Sequence, residues 1–389
     1  MRRVLSGFLL LSGLMFLPAR AGHELPYYPS FYPQEIRLEV VGPATAAQRL
    51  REHSLHAYLG GMPDFAGPVP AHVNAVTSLA SYLVLTFDGE AARLWPRAQR
   101  CSAAPAVLTA LSETTGAYVF HPYPVTPYHG DYLHHFDRLP AVQAETPYGS
   151  AVPPTPLHVR ARGALATPLV QSKWPGGEGQ WDVTVEEISL AELLAPHTSQ
   201  LNGWHSPPWL KTGWFHAYLL LAPTVGDQTV REAVAVAYQR LVRGDYGRPE
   251  ERLTMERELV ALLRHGCERV VVGYTVRQEY VDIDYSAGIE NLAYDAHTGL
   301  NSCIFLRTVK LKDLPWNGWL RLGVSTPATA AWNPMGGMTD TTGQLLWSAV
   351  GDVAFFPSPY SAGWTANRIA AYQSTLQSQE RPVQAMDQP

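Results

Sequence analysis

The hydrophobic and polar positions change rhythm several times along the chain. In EIRLEVV (35–41) they alternate well enough for a strand, and in TAAQRLREHSLHAYL (45–59) Leu50, Leu55 and Leu59 fall at helical spacing. SYLVLTFD (81–88) predicts a second strand, GEAARLWPRAQ and PAVLTALSETTG predict helix, and AYVFH (117–121) predicts a third strand. Strand and helix taking turns in this way predict an α/β layer of about a hundred residues. Ahead of it, GHELPYYPSFYPQ (22–34) is broken by three prolines and predicts an extended arm.

The rhythm is lost between 140 and 180, where Pro and Gly are dense and only LHVRARGALATPLV can pair as a strand. It returns with WDVTVEEIS as a strand, then with helices over 229–245 and 249–266. The second helix has Pro249 in its first turn and stops at Gly266 after basic Arg264 and His265, the expected order of start and stop signals. ERVVVGYTVR and QEYVDIDYS predict two strands, and NLAYDAHTG, CIFLRTVKL and GWLRLGV follow with turns at HTGLNS and PWNG. The expected fold class is therefore mixed α/β and α+β. An N-terminal arm and α/β domain (22–140) precede a Pro/Gly-rich linker or crossover (141–180) and a C-terminal α+β domain (181–373) of helices and an antiparallel meander. The polar residues 374–389 predict a disordered tail.

The first 21 residues change the picture of where this fold lives. Arg2 and Arg3 precede a nearly unbroken apolar run from Val4 to Leu17, and Ala19 and Ala21 place small side chains ahead of a cut. This predicts a secretory signal cleaved after Ala21, because 14 apolar residues fall short of the about 20 a spanning helix needs. Gly22 follows the cut instead of Cys, so no lipid anchor is indicated. The apolar window at 214–225 is also too short to span, and it holds a histidine and a proline. The expectation is a periplasmic or secreted soluble protein without a membrane span after cleavage.

Removal of Arg2, Arg3 and Arg20 leaves 26 basic against 34 acidic residues, a net charge of about −8 with no basic cluster. Nucleic acid is not an expected partner. Three cysteines allow at most one internal disulfide, with Cys267–Cys303 the favoured pair and three buried thiols the alternative.

Four places carry candidate chemistry. HPYPVTPYHGDYLHHFDRLP (121–140) holds His129, Asp131, His134 and His135, and a turn of helix there would set Asp131 and His135 on one face. Imidazole and carboxylate suit zinc or copper, the cofactors expected if any. The spacing matches no recognised metal signature, so a polar, aromatic-packed loop is the favoured reading and a metal site the sharper one. Gly22 and His23 at a new N-terminus could chelate copper(II). In QEYVDIDYS, Asp282 and Asp284 would share a strand face about 7 Å apart, suited to a carboxylate pair in glycoside hydrolysis or to calcium. An ordinary solvated strand face reads the same way. Last, Trp316, Asn317, Trp319, Trp332, Asn333, Asp340 and Trp364 combine flat rings with amides and carboxylates, as a polar ring-shaped ligand would need, although tryptophans that staple loops to a core look alike.

There is no G-x-S-x-G elbow, S-x-x-K, Walker loop, dinucleotide fingerprint or C-x-x-C-H. The favoured function is an exported binding or accessory protein that captures a small polar ligand or a protein partner between two domains. The alternative is an extracytoplasmic metal- or carboxylate-dependent hydrolase.

Overall fold

The computed structural model describes residues 31, 33–90, 92–114, 118–139, 157–174, 179–198, 208–316, 318–329, 338, 340–351, 355–359 and 364–366. The expected leader, most of the arm and the expected tail lie outside the described residues. The chain forms β1 (Glu35–Val40), α1 (Pro43–Arg51), β2 (Ala57–Tyr58), β3 (Val73–Phe87), α2 (Arg97–Ser112), β4 (Val119–Phe120), β5 (Val159–Arg162), α3 (Ala166–Lys173) and β6 (Val183–Ser189). Then come α4 (Leu190–Thr198), α5 (Gly213–Leu221), α6 (Gln228–Arg243), α7 (Pro249–Arg264), β7 (Arg269–Asp282), β8 (Ile289–Asn291), α8 (Cys303–Thr308), β9 (Lys310–Leu311), β10 (Trp319–Val324), α9 (Thr341–Val350), β11 (Phe355–Pro357) and β12 (Trp364–Ala366). No helix among the described residues is long and apolar enough to cross a membrane.

The fold is mixed α/β, built on one eight-stranded sheet in the order β1-β10-β2-β7-β3-β6-β5, with β4 paired to β7. The β1–β10, β10–β2 and β5–β6 pairs are parallel, and the pairs made by β7 and the β3–β6 pair are antiparallel. β3 lies between β6 and β7, so strands from either side of residues 140–180 interleave in a single sheet. β5 and α3 form within the segment read from sequence as a linker.

β3 explains why its sequence reads as a solid apolar run. Tyr82 and Val84 pack with α5, α6 and α7 on one face, while Leu83, Leu85 and Phe87 pack with α2 and α3 on the other. A strand covered on both faces needs apolar residues at every position. The register shifts between Leu79 and Ser81, and that extra residue flips the parity. Leu79 and Tyr82, three apart, therefore enter the same core.

Several expectations are corrected. β3 starts at Val73, eight residues before the predicted strand, because the mixed polar and apolar positions at its start still pair with β7. ERVVVGYTVR and QEYVDIDYS are one strand, β7, because β3 is long enough to pair with all of it. The helix predicted over 45–59 stops at Arg51, where His53 turns the chain at φ +55° and frees Leu55 for a different element. CIFLRTVKL yields the short buried helix α8 before β9, a case where a short apolar run does not distinguish helix from strand. GWLRLGV becomes β10, but it pairs in parallel with β1 and β2 and so belongs to no antiparallel meander.

The disulfide joins Cys101 to Cys267, not Cys267 to Cys303. α2 lies against the turn after α7, which brings the Cα atoms to 5.3 Å, and Cys303 is a free thiol.

Candidate metal centre

Four segments distant in sequence meet at the helical face of β3. Tyr82, fully buried, points its hydroxyl from that strand into the core. His129 comes from the turn Thr126–His129, whose His129 N–H donates to the Thr126 carbonyl at 3.0 Å around Pro127. His216 lies in α5, and His297 in the loop closed by Asp295 and Gly299.

Rigid contacts hold each segment. Asp131 Oδ1 accepts from Gly213 N–H at 2.7 Å and Oδ2 accepts from Trp214 N–H at 3.1 Å, so one buried carboxylate caps the N-terminus of α5 from the His129 loop. The two segments press so closely that a Cβ at Gly213 would meet Val125 Cγ1 at 2.4 Å. In the third segment Asp295 Oδ1 accepts from His297 and Thr298 N–H at 2.9 and 3.0 Å, and Gly299 supplies the positive φ of +62°. Lys211, just ahead of α5, pairs with Asp295 and donates to the Ser358 carbonyl at 2.8 Å. The Leu79 N–H donates to the Ala296 carbonyl at 2.9 Å, which fastens this loop to β3 at its bulge.

The imidazoles face one another. Ring centroids are 4.6 Å apart for His129 and His216, 5.0 Å for His216 and His297, and 5.5 Å for His129 and His297. Each ring brings a nitrogen to within 4.8 Å of the others' nitrogens. His129 Nε2 and His216 Nδ1 are 2.9 Å apart, and Tyr82 Oη lies 3.0 Å from the first and 2.7 Å from the second.

The outer nitrogens decide which inner ones carry lone pairs. His216 Nε2–H donates to the Leu210 carbonyl at 2.7 Å, which leaves Nδ1 bare toward the cluster. His297 Nε2 is buried without a hydrogen-bond partner. His129 Nδ1 accepts from Thr126 N–H at 2.8 Å and also lies 3.1 Å from Thr126 Oγ1 and 3.2 Å from the Thr126 carbonyl. In one tautomer His129 Nε2–H donates to Tyr82 Oη, whose O–H donates to His216 Nδ1. In the other, Nδ1–H donates to Thr126 and Nε2 is bare. Only the second turns a bare His129 nitrogen toward the other two rings, and it does so by giving up the Thr126 N–H bond to Nδ1.

Burial holds all three rings neutral. The His216 pKa is pushed down from 6.5 to about 4 by desolvation. His129 and His297 are pushed well below the ordinary value by desolvation and then by the neighbouring imidazoles. Desolvation likewise raises Tyr82 well above its usual 10, so it stays a neutral phenol. Neutral imidazole is the metal-binding form.

Of the residues expected from sequence to bind a metal, the structure brings only His129 to this cluster. Asp131 is engaged in capping α5, and His134 is exposed. His135 is buried with Nδ1 2.8 Å from Tyr123 Oη, and it lies 3.8 Å from Asp131 across the 3-10 turn Tyr132–His134, where a turn of helix was expected. His216, His297 and Tyr82 were not read from sequence. The one available signal was a histidine inside the otherwise apolar WFHAYLLLA.

Asp282 ends β7, so it does not share a strand face with Asp284. Asp282 Oδ1 accepts from Asp284 N–H at 2.8 Å, and Asp284 Oδ2 accepts from the Ser286 N–H and hydroxyl at 2.9 and 2.6 Å. Those Ser286 donors hold Asp284 well below the carboxylate range, which removes it as a general acid at neutral pH. Trp316 and Trp319 are 61% and 63% exposed, with Trp316 tilted against Phe31 at 4.7 Å. Asp340 caps α9 by accepting from Gly343 N–H at 2.9 Å. Trp364 opens β12, and Asn317, Trp332 and Asn333 lie outside the described residues, as do Gly22 and His23.

No protein-family model matches the sequence, and no curated protein does. Among solved structures, the PBP AgaA from A. tumefaciens R10 in complex with agropinic acid is similar at 12% identity and a TM-score of 0.35, over 69% of this chain and 58% of that one. NikZ from Campylobacter jejuni in complex with Ni(L-His) is similar at 13% identity and 0.32, over 66% and 57%. The oligopeptide-binding protein AppA from Bacillus subtilis in complex with a nonapeptide gives 11% and 0.32, over 70% and 59%. The chain spans less than two thirds of the length of these proteins, and scores of this size establish no shared fold or activity.

Proposed function

We propose that the protein is an extracytoplasmic binding protein whose ligand is a divalent transition-metal ion, zinc(II) or copper(II) by ligand class, held by His129, His216 and His297. The observation that carries this reading is the convergence of one nitrogen each from His129, His216 and His297 to within 4.8 Å of one another in the core, with His297 Nε2 left without a hydrogen-bond partner. An unsatisfied buried polar atom costs about 1–3 kcal/mol, and a bound cation removes that cost. Tetrahedral zinc with Zn–N bonds of about 2.0–2.1 Å sets its nitrogens about 3.3 Å apart. The observed 2.9 Å between His129 and His216 is a few tenths of an ångström from that value, and the His297 nitrogen lies within 4.8 Å of both, so its loop must also move inward to bind. The Leu210 carbonyl orients His216 in the way outer partners of a metal ligand commonly do.

Burial favours holding an ion over turning over a substrate. The three rings are at most 6% exposed, which leaves no open face for a substrate. Export is supported by the leader-like N-terminus and by the Cys101–Cys267 bridge, a bond that persists in oxidising compartments.

The test is a titration of chelator-stripped protein with zinc(II), with thermal stability as a second readout. One ion should bind tightly and raise the Tm, and His297→Ala should lose that ion while it keeps the fold. A stripped protein that takes up no zinc, with Tm unchanged, would leave the cluster as a hydrogen-bonded core.

A further inference from the structure

At the far end of β3 and β7 a second group of donors converges, on residues the buried cluster does not use. His53 follows α1, His72 precedes β3 and Asp282 closes β7, and a ligand atom of each lies within 4.8 Å of the others. The His53 and His72 ring centroids are 4.4 Å apart. His72 Nε2–H donates to the Leu50 carbonyl at 3.1 Å, which leaves Nδ1 bare. His53 Nδ1 is 3.0 Å from Asp282 Oδ2, and its Nε2 is 3.9 Å from Asp284 Oδ1.

Charge points to a missing cation. Asp282 is 1% exposed, and among the described residues no lysine or arginine forms an ion pair with it. The two nearby cations are engaged with main-chain carbonyls: Lys312 with those of Ile283 and Asp284, and Arg321 with that of His53. A buried carboxylate is costly unless a positive charge offsets it, and beside Asp282 that charge is either a protonated His53 ring or a bound cation. His53 sits at φ +55°, in the left-handed region that histidine, asparagine and aspartate enter more readily than other side chains, and this turn after α1 aims its ring at Asp282.

We infer that His53, His72 and Asp282 form a second metal site, a two-histidine, one-carboxylate set for a divalent first-row transition ion. The His53 side chain is 39% exposed, so the remaining coordination positions face solvent and are filled by water. Asp284 stands behind it as a hydrogen-bond acceptor for such a water. This site exchanges its ion readily, and it stands or falls independently of the buried cluster.

The experiment titrates chelator-stripped full-length protein with zinc(II) and with cobalt(II), comparing wild type, His53→Gly, His72→Ala and His297→Ala. Glycine suits the φ of residue 53, so His53→Gly removes the ligand without straining the fold. His53→Gly and His72→Ala should each weaken one zinc site by more than about 10-fold, the least that loss of even an outer partner of a metal ligand costs. His297→Ala should keep that site, with the weak cobalt absorption of an ion carrying several waters. The inference is overturned if His53→Gly and His72→Ala bind as wild type does, or if His297→Ala binds no ion. Loss of binding in His297→Ala alone would remove this site and leave the buried one standing.

Discussion

The two histidine clusters lie at opposite stations of one ladder, near the Tyr82–Tyr274 pair and at the Val73–Asp282 pair. About 30 Å of strand separates them, at about 3.3 Å per residue. They use the same donor type but differ in what surrounds it. At the first station three neutral rings and a phenol are sealed under α5, and no carboxylate belongs to the ligand set. At the second, a buried carboxylate supplies charge and one imidazole reaches water. Burial and donor charge differ together: an ion in the inner cluster would shed all its hydration, and one in the outer cluster would keep water and gain a carboxylate.

The largest expected effect tests whether either site depends on global stability. Reduction of Cys101–Cys267 opens a loop of 166 residues. It should cost about 5 kcal/mol on chain-entropy grounds, visible as a lower denaturant midpoint, while ion stoichiometry stays unchanged. Acid should then divide the clusters. The buried His216 titrates near 4, against 6.5 unfolded, so its contribution is complete above pH 6.5 and is lost as pH falls toward 4, about 3 kcal/mol in all. His56 and His135 act in the same direction and window. Glu256 and Glu279, raised by burial to about 8 and about 7, act oppositely and gain stability as pH falls toward 4.5. The histidines outnumber them, so urea unfolding of the metal-free protein should show a net loss between pH 6.5 and 4. A flat profile would mean the rings are not sealed.

Smaller effects sharpen the inner site. Asp131→Ala removes both acceptors at the start of α5 and should cost about 3 kcal/mol, together with weaker zinc binding because the His129 loop loses its anchor. Tyr82→Phe should cost about 1 kcal/mol in the metal-free protein, since His129 Nε2 and His216 Nδ1 remain 2.9 Å apart and can still bond each other. In the zinc-loaded protein that cost should vanish, because the ion satisfies both nitrogens. His53→Gly should be the mildest, a change of under about 1 kcal/mol in either sense, because the gain from glycine at positive φ offsets the lost contact with Asp282. A larger loss there would show that the His53–Asp282 contact is structural.

Much of the framework was legible in the sequence. α6 and α7 carry an amphipathic pattern with start and stop signals, and the observed helices fall within two residues of those predicted. β1 and β6 alternate or run apolar long enough to be read. What failed were features set by a partner in space: the start of β3, the continuity of β7, the short helix α8 and the cysteine pairing. The buried cluster shares that cause. His129 was read inside a histidine-rich stretch, yet its companions His216 and His297 lie 87 and 168 residues further on in unremarkable surroundings, and only the packing of α5 and the 295–299 loop onto β3 brings them together. Local crowding of histidines drew attention to His134 and His135, which point elsewhere.

X-ray absorption at the zinc edge of zinc-loaded His53→Gly protein tests the central claim most directly, since only the inner cluster is then complete. One zinc per chain should be retained, with three imidazole nitrogens at about 2.0–2.1 Å. A chain that keeps no zinc after gel filtration, or zinc ringed by oxygen without imidazole, would contradict it.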